Sequence, residues 1–431
     1  MKSLSKVIYF IAFFSIVNIS YAQRKTAFKS KAARSSSVNG GLTLPTGFSA
    51  SIIAHDLGAA RHMAVNSKGD LYVKMDRVKN GGGIIELSPA KGNGQATKKE
   101  VFGDFGGTGI AIKNGYLYAS SNTNVYRYKL NADEQVEDTS RAELIVKGLI
   151  DRGQHNSKSI ALDNDGNIYV NIGAYSNSCQ EHDRENGSKG IDPCPILDSA
   201  GGIWQFKADK QDQTYGDGVR YATGTRNVVG LDWNKEVNEL FVMQHGRDQI
   251  GSMFPQFYEA KYADELPAEE MFLVKKGMNF GWPYCYYDPM QKKKLLNPEY
   301  GGDGKQVGRC AEMQNPIVAF PAHLAPNGLL FYTGNMFPEK YKNGAFIAFH
   351  GSWNRNVTGQ EGYFVAFVPF KDGKPSGKWE VFANGFAGVS KIESTGDAKY
   401  RPCGLAQAPD GSLYVSDDNK GNIWNITYKG K

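Results

Sequence analysis

Short apolar segments separated by turns recur along the chain and predict β-strands. In each copy an apolar strand is followed by a Gly- or Asp-rich turn and by a second strand that ends near Leu-Tyr, Ile-Tyr or Leu-Phe. Clear copies are Met63–Val73, Ile110–Tyr118, Ile160–Val170, Leu231–Val242 and Leu405–Val415. Turns such as Asp165-Gly166 supply the positive φ angles that a tight hairpin requires. Since no long segment carries helical apolar spacing, the pattern predicts an all-β chain.

Further strands complete the repeat. They follow the hairpins at Asn124–Tyr128, Gly202–Phe206 and Asn422–Ile426. A degenerate copy covers Leu329–Tyr332, Ala345–Phe349 and Tyr363–Phe367. The six units predict a six-bladed β-propeller with four-stranded antiparallel blades, and a solenoid is the alternative at this spacing. Long insertions at 174–200, 245–270 and 283–325 are expected in loops around the propeller.

The chain begins with a segment that is typical of export signals. Lys2 and Lys6 precede an apolar run from Val7 to Val17, and small residues lead up to Ala22, which predicts a signal peptide over residues 1–22. An uncleaved membrane anchor is the alternative. Residues 23–42 are predicted to be a flexible lead-in, and residues 43–431 a single propeller domain. We therefore expect an exported protein, periplasmic or secreted, that is not an integral membrane protein once processed.

Composition supports these expectations. The 50 Gly, 23 Tyr and 23 Phe residues favour sheet and turn over helix. The net charge of +6 comes from scattered basic residues, so a nucleic-acid partner is not expected.

Four of the five cysteines are expected to form disulfides. Cys179 with Cys194 and Cys285 with Cys310 would each close a loop, as suits an oxidising compartment, and Cys403 is left over. Neither Cys-x-x-Cys nor Cys-x-x-Cys-His occurs, which argues against thiolate zinc sites and a fused covalent haem carrier.

Two polar loops that directly precede predicted strands contain candidate catalytic residues. Arg152–Lys158 includes His155, whose ordinary pKa suits a general base, although a structural histidine would look the same. Gly224–Gly230 includes Arg226 and Asn227. The guanidinium group of Arg226 could bind carboxylates or polarise a carbonyl of a ligand. Alternatively, Arg226 could form a salt bridge between two blades.

A third set of loops offers oxygen ligands. The loops are Gln244–Asp248, Asp264-Glu265 and Gly277–Tyr284, which together place carboxylates beside exposed Gly carbonyls. Ca²⁺ accepts such oxygen ligands in irregular geometry, so these loops are candidates for a calcium site. The alternative is that they are ordinary loops without a bound ion.

The ordered combination of motifs resembles a known family. The motifs are Gly-x-Arg-Asn at Gly224–Asn227, Asn-Phe-Gly-Trp-Pro at Asn279–Pro283, His-Gly-Ser-Trp-Asn-Arg at His350–Arg355, and Tyr-Arg-Pro with Ala-Pro-Asp-Gly within Tyr400–Gly411. Over residues 43–428 the chain resembles the soluble glucose dehydrogenases that depend on pyrroloquinoline quinone (PQQ), more closely their sorbosone and pyranose dehydrogenase branch. The resemblance implies an oxidoreductase that acts on a sugar or a sugar-derived alcohol or aldehyde, with PQQ and Ca²⁺ as cofactors.

The resemblance also implies roles for individual residues. His155 would be the general base that takes the substrate hydroxyl proton, and Arg226 would polarise the quinone carbonyls. Asn227 would lie against the cofactor. The backbone carbonyls of Gly246 and Arg247 would hold the Ca²⁺, which strengthens the quinone as a hydride acceptor.

Further cofactor contacts are implied on other blades. Asn354, Arg355 and Arg401 fall near the family's cofactor ligands. Trp353 is expected either to stack on the cofactor or on a sugar ring, or to pack in the core. Thr108 is the nearest match to a glutamine that touches the cofactor in the family.

Two positions depart from the glucose dehydrogenase pattern. Gln154 replaces an aspartate before the base, so another group must orient His155, and Arg247 replaces a proline beside the calcium-binding glycine. The cofactor is still expected, while the substrate is left open. Electrons would pass to a separate soluble acceptor, a cytochrome or a quinone. The alternatives are a Ca²⁺-dependent propeller hydrolase such as a lactonase, and a non-catalytic propeller that binds glycan or protein.

Overall fold

The computed structural model describes residues 39–89 and 94–430. The predicted signal peptide lies outside the described residues, as does most of the predicted lead-in. The end of that lead-in is packed rather than flexible, because Asn39 and Leu42 are buried and the Asn39 side chain accepts the Ala50 N–H. In the described part of the chain, no helix is both long and apolar enough to cross a membrane.

Six antiparallel sheets form the blades, which confirms the predicted six-bladed β-propeller. In each blade the strands are given from the inner to the outer edge.

Blade 1 consists of Ala60–Val65, Leu71–Lys79, Gly82–Leu87 and Lys98–Phe102. Blade 2 consists of Ile110–Lys113, Tyr116–Ser120, Val125–Lys129 and Glu143–Val146. Blade 3 consists of Ile160–Leu162, Asn167–Ile172, Gly202–Lys207 and Val219–Thr223. Blade 4 consists of Val228–Asn234, Glu239–Gln244, Glu269–Val274 and Val318–Phe320. Blade 5 consists of Pro326–Phe331, Ala345–Phe349, Phe364–Val368 and Glu380–Ala383. Blade 6 consists of Pro402–Gln407, Leu413–Asp417, Ile423–Tyr428 and Phe48–Ala54.

The remaining elements are short. Met278–Asn279 adds a parallel fifth strand to the outer edge of blade 3. Hairpins pair Cys285–Asp288 with Lys293–Leu296, and Phe370–Lys371 with Lys374–Pro375. The described α-helices are Ile250–Met253 and Ala260–Ala263. Single 3₁₀ turns occur at Pro195–Asp198, Tyr215–Asp217, Pro298–Tyr300, Gly308–Glu312, Glu339–Tyr341 and Thr395–Asp397.

The ring is closed by joining the two ends of the propeller domain. Phe48–Ala54 pairs with Ile423–Tyr428, so the last blade takes its outer strand from the start of the domain. The inner strands of neighbouring blades lie side by side around the ring and enclose a cavity of about 260 Å³. Buried apolar side chains fill the spaces between the sheets, as radial packing requires.

The strand order brings the polar loops to one face. Each inner strand begins opposite the end of the second strand of its blade, as Val228 does with Gln244 and Pro402 with Asp417. Residues that precede an inner strand and residues that follow a second strand therefore lie together. We call this the top face. The insertions at 174–200 and 245–270 follow the second strands of blades 3 and 4, which places them there.

Candidate functional site

Several of the predicted site residues lie where inner strands begin on the top face. Thr108, His155, Arg226 and Arg401 precede the inner strands of blades 2, 3, 4 and 6. Because the six inner strands surround one axis, side chains from different blades are brought to the same mouth. The repeat itself thus positions residues that are far apart in sequence.

His155 is held in a single orientation. Its φ is 50°, a left-handed conformation that non-glycine residues rarely adopt and that recurs at functional sites. Nδ1 lies 2.5 Å from the carbonyl oxygen of Ala174, at the end of the second strand of blade 3. A carbonyl can only accept, so the ring proton resides on Nδ1 and Nε2 carries the lone pair. Burial, followed by the charge of Arg226, lowers the pKa of His155 to about 3, which keeps the ring neutral.

Gln154 has a separate role. Its side-chain amide donates to Asp183 at 2.9 Å rather than to the histidine ring. The Ala174 carbonyl therefore supplies the orientation that the replaced aspartate would give.

Arg226 is the centre of a buried polar network. Its guanidinium donates to Asp248 at 2.6 Å, to the carbonyl of Gly246 at 2.9 Å and to the carbonyl of Asn177 at 3.2 Å. Burial alone would raise the pKa of Asp248, but the charges of Arg226 and Arg184 outweigh it, so the pKa lies far below its ordinary value. Asp248 is thus a fixed anion that holds Arg226 in place.

Two buried amide oxygens at the site have no hydrogen-bond partner in the described part of the protein. Asn354 donates its amide N–H to Asp248 at 3.0 Å, which leaves its Oδ1 without a hydrogen bond among the described residues. Oδ1 of Asn227 is likewise buried and unpartnered. Buried oxygens of this kind are costly unless a ligand, ion or water satisfies them.

A second ion-pair network on this face was not predicted from the sequence. Arg61 begins the inner strand of blade 1 and donates to Asp418 at 2.8 Å, and His350 Nε2 lies 2.6 Å from the other oxygen of Asp418. Arg61 also donates to Ser157 and to Thr108, which ties blades 1, 2, 3 and 6 together. The position of Arg61, two residues before the first copy of the repeat, was the signal that could have revealed it.

Arg401 faces the same network. It donates to the carbonyl oxygens of His350 at 3.1 Å and Gly351 at 2.9 Å, and its charge lies 5.7 Å from the ring centre of Tyr363. These hydrogen-bond partners are uncharged, so Arg401 has no ion-pair partner among the described residues.

Two arginines that were predicted at the site have buried side chains that form ion pairs within the protein. The Arg355 guanidinium is buried and donates to Glu265 at 2.6 Å and to the carbonyl of Ala322 at 3.1 Å. The Arg247 side chain is buried against Glu299. Both side chains anchor insertions, so Arg247 can offer a ligand only its backbone carbonyl. Trp353 is 50% exposed, which excludes packing in the core.

Gly246 is held by its own peptide group. Its N–H donates to buried Glu269 at 2.9 Å, while its carbonyl accepts from Arg226. Among the described residues no group of three or more His, Cys, Asp or Glu side chains is arranged for a metal. An ion at this face would depend on backbone and amide oxygens, which are ligands that Ca²⁺ accepts.

A cleft of about 540 Å³ opens beside the site between blades 1 and 6. Arg61, Arg401 and Asp418 form its inner wall. Its outer wall is the segment Asp76–Lys79, the end of the second strand of blade 1 beyond its pairing with the inner strand, where residues 77–79 are exposed.

Both predicted disulfides are present. Cys179 is bonded to Cys194 and Cys285 to Cys310, while Cys403 is a buried free thiol. The two bridged insertions touch each other, since Tyr300 donates to the carbonyl of Ser178 at 3.0 Å.

A six-bladed ring with histidine and arginine side chains at one mouth is the architecture expected for the quinone-dependent sugar dehydrogenases. A family model described as TrAA12-like matches residues 42–429, and the chain belongs to that family. This confirms the resemblance seen in the motifs.

Individual relatives agree with this membership. The PQQ-dependent pyranose dehydrogenase of Coprinopsis cinerea is 25% identical over 278 residues, covering 56% of this chain and 36% of that enzyme, so the match reaches about a third of the relative's length. The holo PQQ domain of the C. cinerea pyranose dehydrogenase superposes with a TM-score of 0.70 at 19% identity, over 90% of this chain and 97% of that one. The calcium structure of the Trichoderma reesei family AA12 enzyme gives a TM-score of 0.72 at 19% identity, over 90% and 97%. At these identities the structures demonstrate a shared fold.

Proposed function

We propose that the protein oxidises a CH–OH group of a sugar or sugar-derived alcohol or aldehyde with PQQ bound at the top face. The observation that carries this proposal is His155, neutral and oriented with Nε2 as its free acceptor beside Arg226, in a chain whose family includes PQQ-dependent dehydrogenases.

The side chains at the top face fit this cofactor. PQQ is planar and carries three carboxylates. Arg401 has no ion pair among the described residues and is open to them, while Arg61 and Arg226 add positive charge at the same mouth although they are paired with Asp418 and Asp248. The unpartnered oxygen of Asn227 and the exposed ring of Trp353 add a polar and a stacking contact. Thr108 is buried against Arg61 and positions that cation through its hydroxyl.

Calcium fits the same region. The carbonyls of Gly246 and Arg247 would bind the ion, with the unpartnered oxygen of Asn354 as a further oxygen at the site. A related family member from T. reesei is known with calcium. The Glu269 contact fixes the Gly246 peptide that supplies one of these carbonyls.

The chain's own residues account for the proton. Oxidation of CH–OH to C=O releases one hydride and one proton, and when bound, PQQ supplies the two-electron acceptor for the hydride. His155 Nε2 takes the proton, because Nδ1–H is already committed to Ala174. Arg226 places positive charge where negative charge develops during the reaction. The electrons then pass to a separate soluble acceptor, a cytochrome or a quinone.

We also propose that the protein is exported to the periplasm or the medium. The two disulfides are typical of oxidising compartments.

The test is a titration of the purified protein with PQQ, with and without Ca²⁺, while reduction of a dye is followed across a panel of sugars. We expect saturable, Ca²⁺-dependent dye reduction. His155→Ala should lower turnover by about 10²- to 10⁴-fold and still bind PQQ by absorbance. His182→Ala, which alters an exposed histidine on a neighbouring insertion, is the control and should stay within twofold of the unmodified protein. If PQQ does not bind at micromolar concentration, the family relationship extends to the fold and not to the cofactor.

A further inference from the structure

The cleft between blades 1 and 6 has an excess of positive charge that the protein itself does not neutralise. Arg61 is paired with Asp418. Arg77 is 88% exposed on its side chain and lies 3.4 Å from Asp76, a weak contact in water. Lys79 and Arg401 form no ion pair among the described residues, since Lys79 donates to the carbonyl of Asp56 and Arg401 to two other carbonyls.

These cations divide into two groups by position. Arg61 and Arg401 lie on the inner wall, where the proposed cofactor carboxylates would be bound. Arg77 and Lys79 lie on the outer wall, at the exposed end of the second strand of blade 1. The outer pair is therefore available to a second anion that enters the cleft from outside.

We infer that the sugar oxidised at this site carries a carboxylate, as in a hexuronic acid, and that Arg77 and Lys79 select it. This inference rests on the proposed dehydrogenase function and names its substrate class. A carboxylate between these two side chains gains Coulomb attraction that a neutral hydroxymethyl group does not. His155 would still take the proton of the CH–OH group, and the bound cofactor would still supply the two-electron acceptor, so the carboxylate directs binding and takes no part in the electron transfer.

The experiment compares matched sugars on the complete protein loaded with PQQ and Ca²⁺. Glucuronate and glucose differ only in the group at C6, as do galacturonate and galactose. We expect a higher kcat/KM for each uronate than for its neutral partner. The ratio should fall about tenfold in Arg77→Ser with Lys79→Ser, because two partly screened charges are lost, and it should also fall with rising salt.

A matched control removes the same charge elsewhere. Lys129 and Arg141 are exposed cations on blade 2 that pair with Glu137 and Asp138. Lys129→Ser with Arg141→Ser should leave the uronate-to-hexose ratio within twofold of the unmodified protein. This control separates a local effect from the general effect of lowering the net charge.

The outcomes distinguish this inference from the proposed function. An equal loss for uronate and hexose in Arg77→Ser with Lys79→Ser, or weaker PQQ binding in that variant, would mean that the outer cations serve the cofactor and would overturn the inference. If no sugar is oxidised, the dehydrogenase proposal fails. Direct binding of glucuronate by calorimetry, compared between the unmodified protein and the same double variant, then still decides whether the outer wall binds a carboxylated sugar.

Discussion

The chemical character of His155 comes from its surroundings rather than from its residue type alone. A free imidazole would be partly protonated near neutrality, but burial and the Arg226 charge keep this ring neutral. The hydrogen bond to Ala174 then decides which nitrogen is free. A proton acceptor is available over the whole physiological range as a result.

This environment predicts how His155 responds to pH. With its folded pKa lowered to about 3, the ring should stay neutral from pH 8 to pH 5. Protonation, and with it loss of the acceptor, should occur only well below pH 5. The ¹³Cε1–¹Hε1 signal of His155, assigned by its absence in His155→Ala, should therefore not shift over this range. A titration midpoint near pH 6.5 would contradict the predicted burial.

A second prediction concerns the anion that holds Arg226. Asp248 accepts hydrogen bonds from Arg226, Arg184 and Asn354. Asp248→Asn leaves a buried guanidinium without its counter-charge, so we expect a loss of about 3–5 kcal/mol in the free energy of unfolding. The free energy should be measured by urea denaturation at pH 7.

The control for this prediction is an exposed ion pair. Asp212 is 64% exposed and pairs with Lys147 at 2.9 Å. Asp212→Asn should change the free energy by no more than about 0.5 kcal/mol. Similar losses in both variants would show that Asp248 acts as an ordinary surface charge.

Single candidate residues were easier to select from the sequence than the partners that hold them. His155, Arg226 and Arg401 were recognisable because they stand directly before repeated strands. Arg61 and Asp418 were not, because they meet only when the first and last blades come together, 357 positions apart in the chain. Arg355 lies in the motif at His350–Arg355, but its side chain forms an ion pair with Glu265, a residue outside that motif.

At the scale of elements, the insertion at 174–200 builds one wall of the site. Asn177 exchanges hydrogen bonds with the backbone of Asp248, accepting its N–H at 2.9 Å and donating to its carbonyl at 3.0 Å. The Asn177 carbonyl also accepts from Arg226 and from the indole of Trp282. One residue of the insertion thus joins the arginine, its counter-ion and the Asn-Phe-Gly-Trp-Pro motif.

The disulfide next to Asn177 should therefore affect both stability and ligand binding. Cys179 and Cys194 close a loop with a separation of 15 residues, so replacing both with Ser should lower the free energy of unfolding by about 3 kcal/mol. We also expect weaker PQQ binding, since the loop that positions Asn177 loses its constraint. Urea denaturation and an absorbance titration measure the two effects.

The second disulfide provides the comparison. Cys285→Ser with Cys310→Ser opens a loop with a separation of 25 residues and should cost a similar free energy. Its insertion touches the site through Glu299, which pairs with the Arg247 side chain, and through Tyr300, which donates to Ser178. Neither contact involves Arg226 or Asp248, so the change in PQQ affinity should be smaller. An equal fall in affinity for both variants would argue against a specific role for the Asn177 loop.

At the scale of the whole molecule, the alternating repeat predicted the ring but not its closure. Each hairpin carries its own turn and apolar pattern, so blades are visible locally in sequence. Phe48–Ala54 has no hairpin partner nearby, and it becomes a strand by pairing with Ile423–Tyr428 at the other end of the chain. The same long-range pairing explains why residues 39–42, predicted as part of a flexible lead-in, are packed.

Ring closure gives the last prediction. Phe48 lies on the closing strand, and its ring centre is 4.8 Å from that of Phe337, 5.1 Å from that of Phe382 and 4.8 Å from that of Tyr428. The aromatic cluster therefore fastens the closing strand to blade 5 as well as to blade 6. Phe48→Ala removes this contact and leaves a cavity, so we expect a loss of about 3–5 kcal/mol in the free energy of unfolding and a lower Tm.

Val381→Ala, which truncates an exposed side chain on the outer strand of blade 5, is the control and should change the Tm little. Because Arg401 and Asp418 lie on the blade that this strand completes, PQQ binding should weaken in parallel with the loss of closure. An unchanged Tm in Phe48→Ala would mean that the backbone hydrogen bonds between Phe48–Ala54 and Ile423–Tyr428 are sufficient to close the ring.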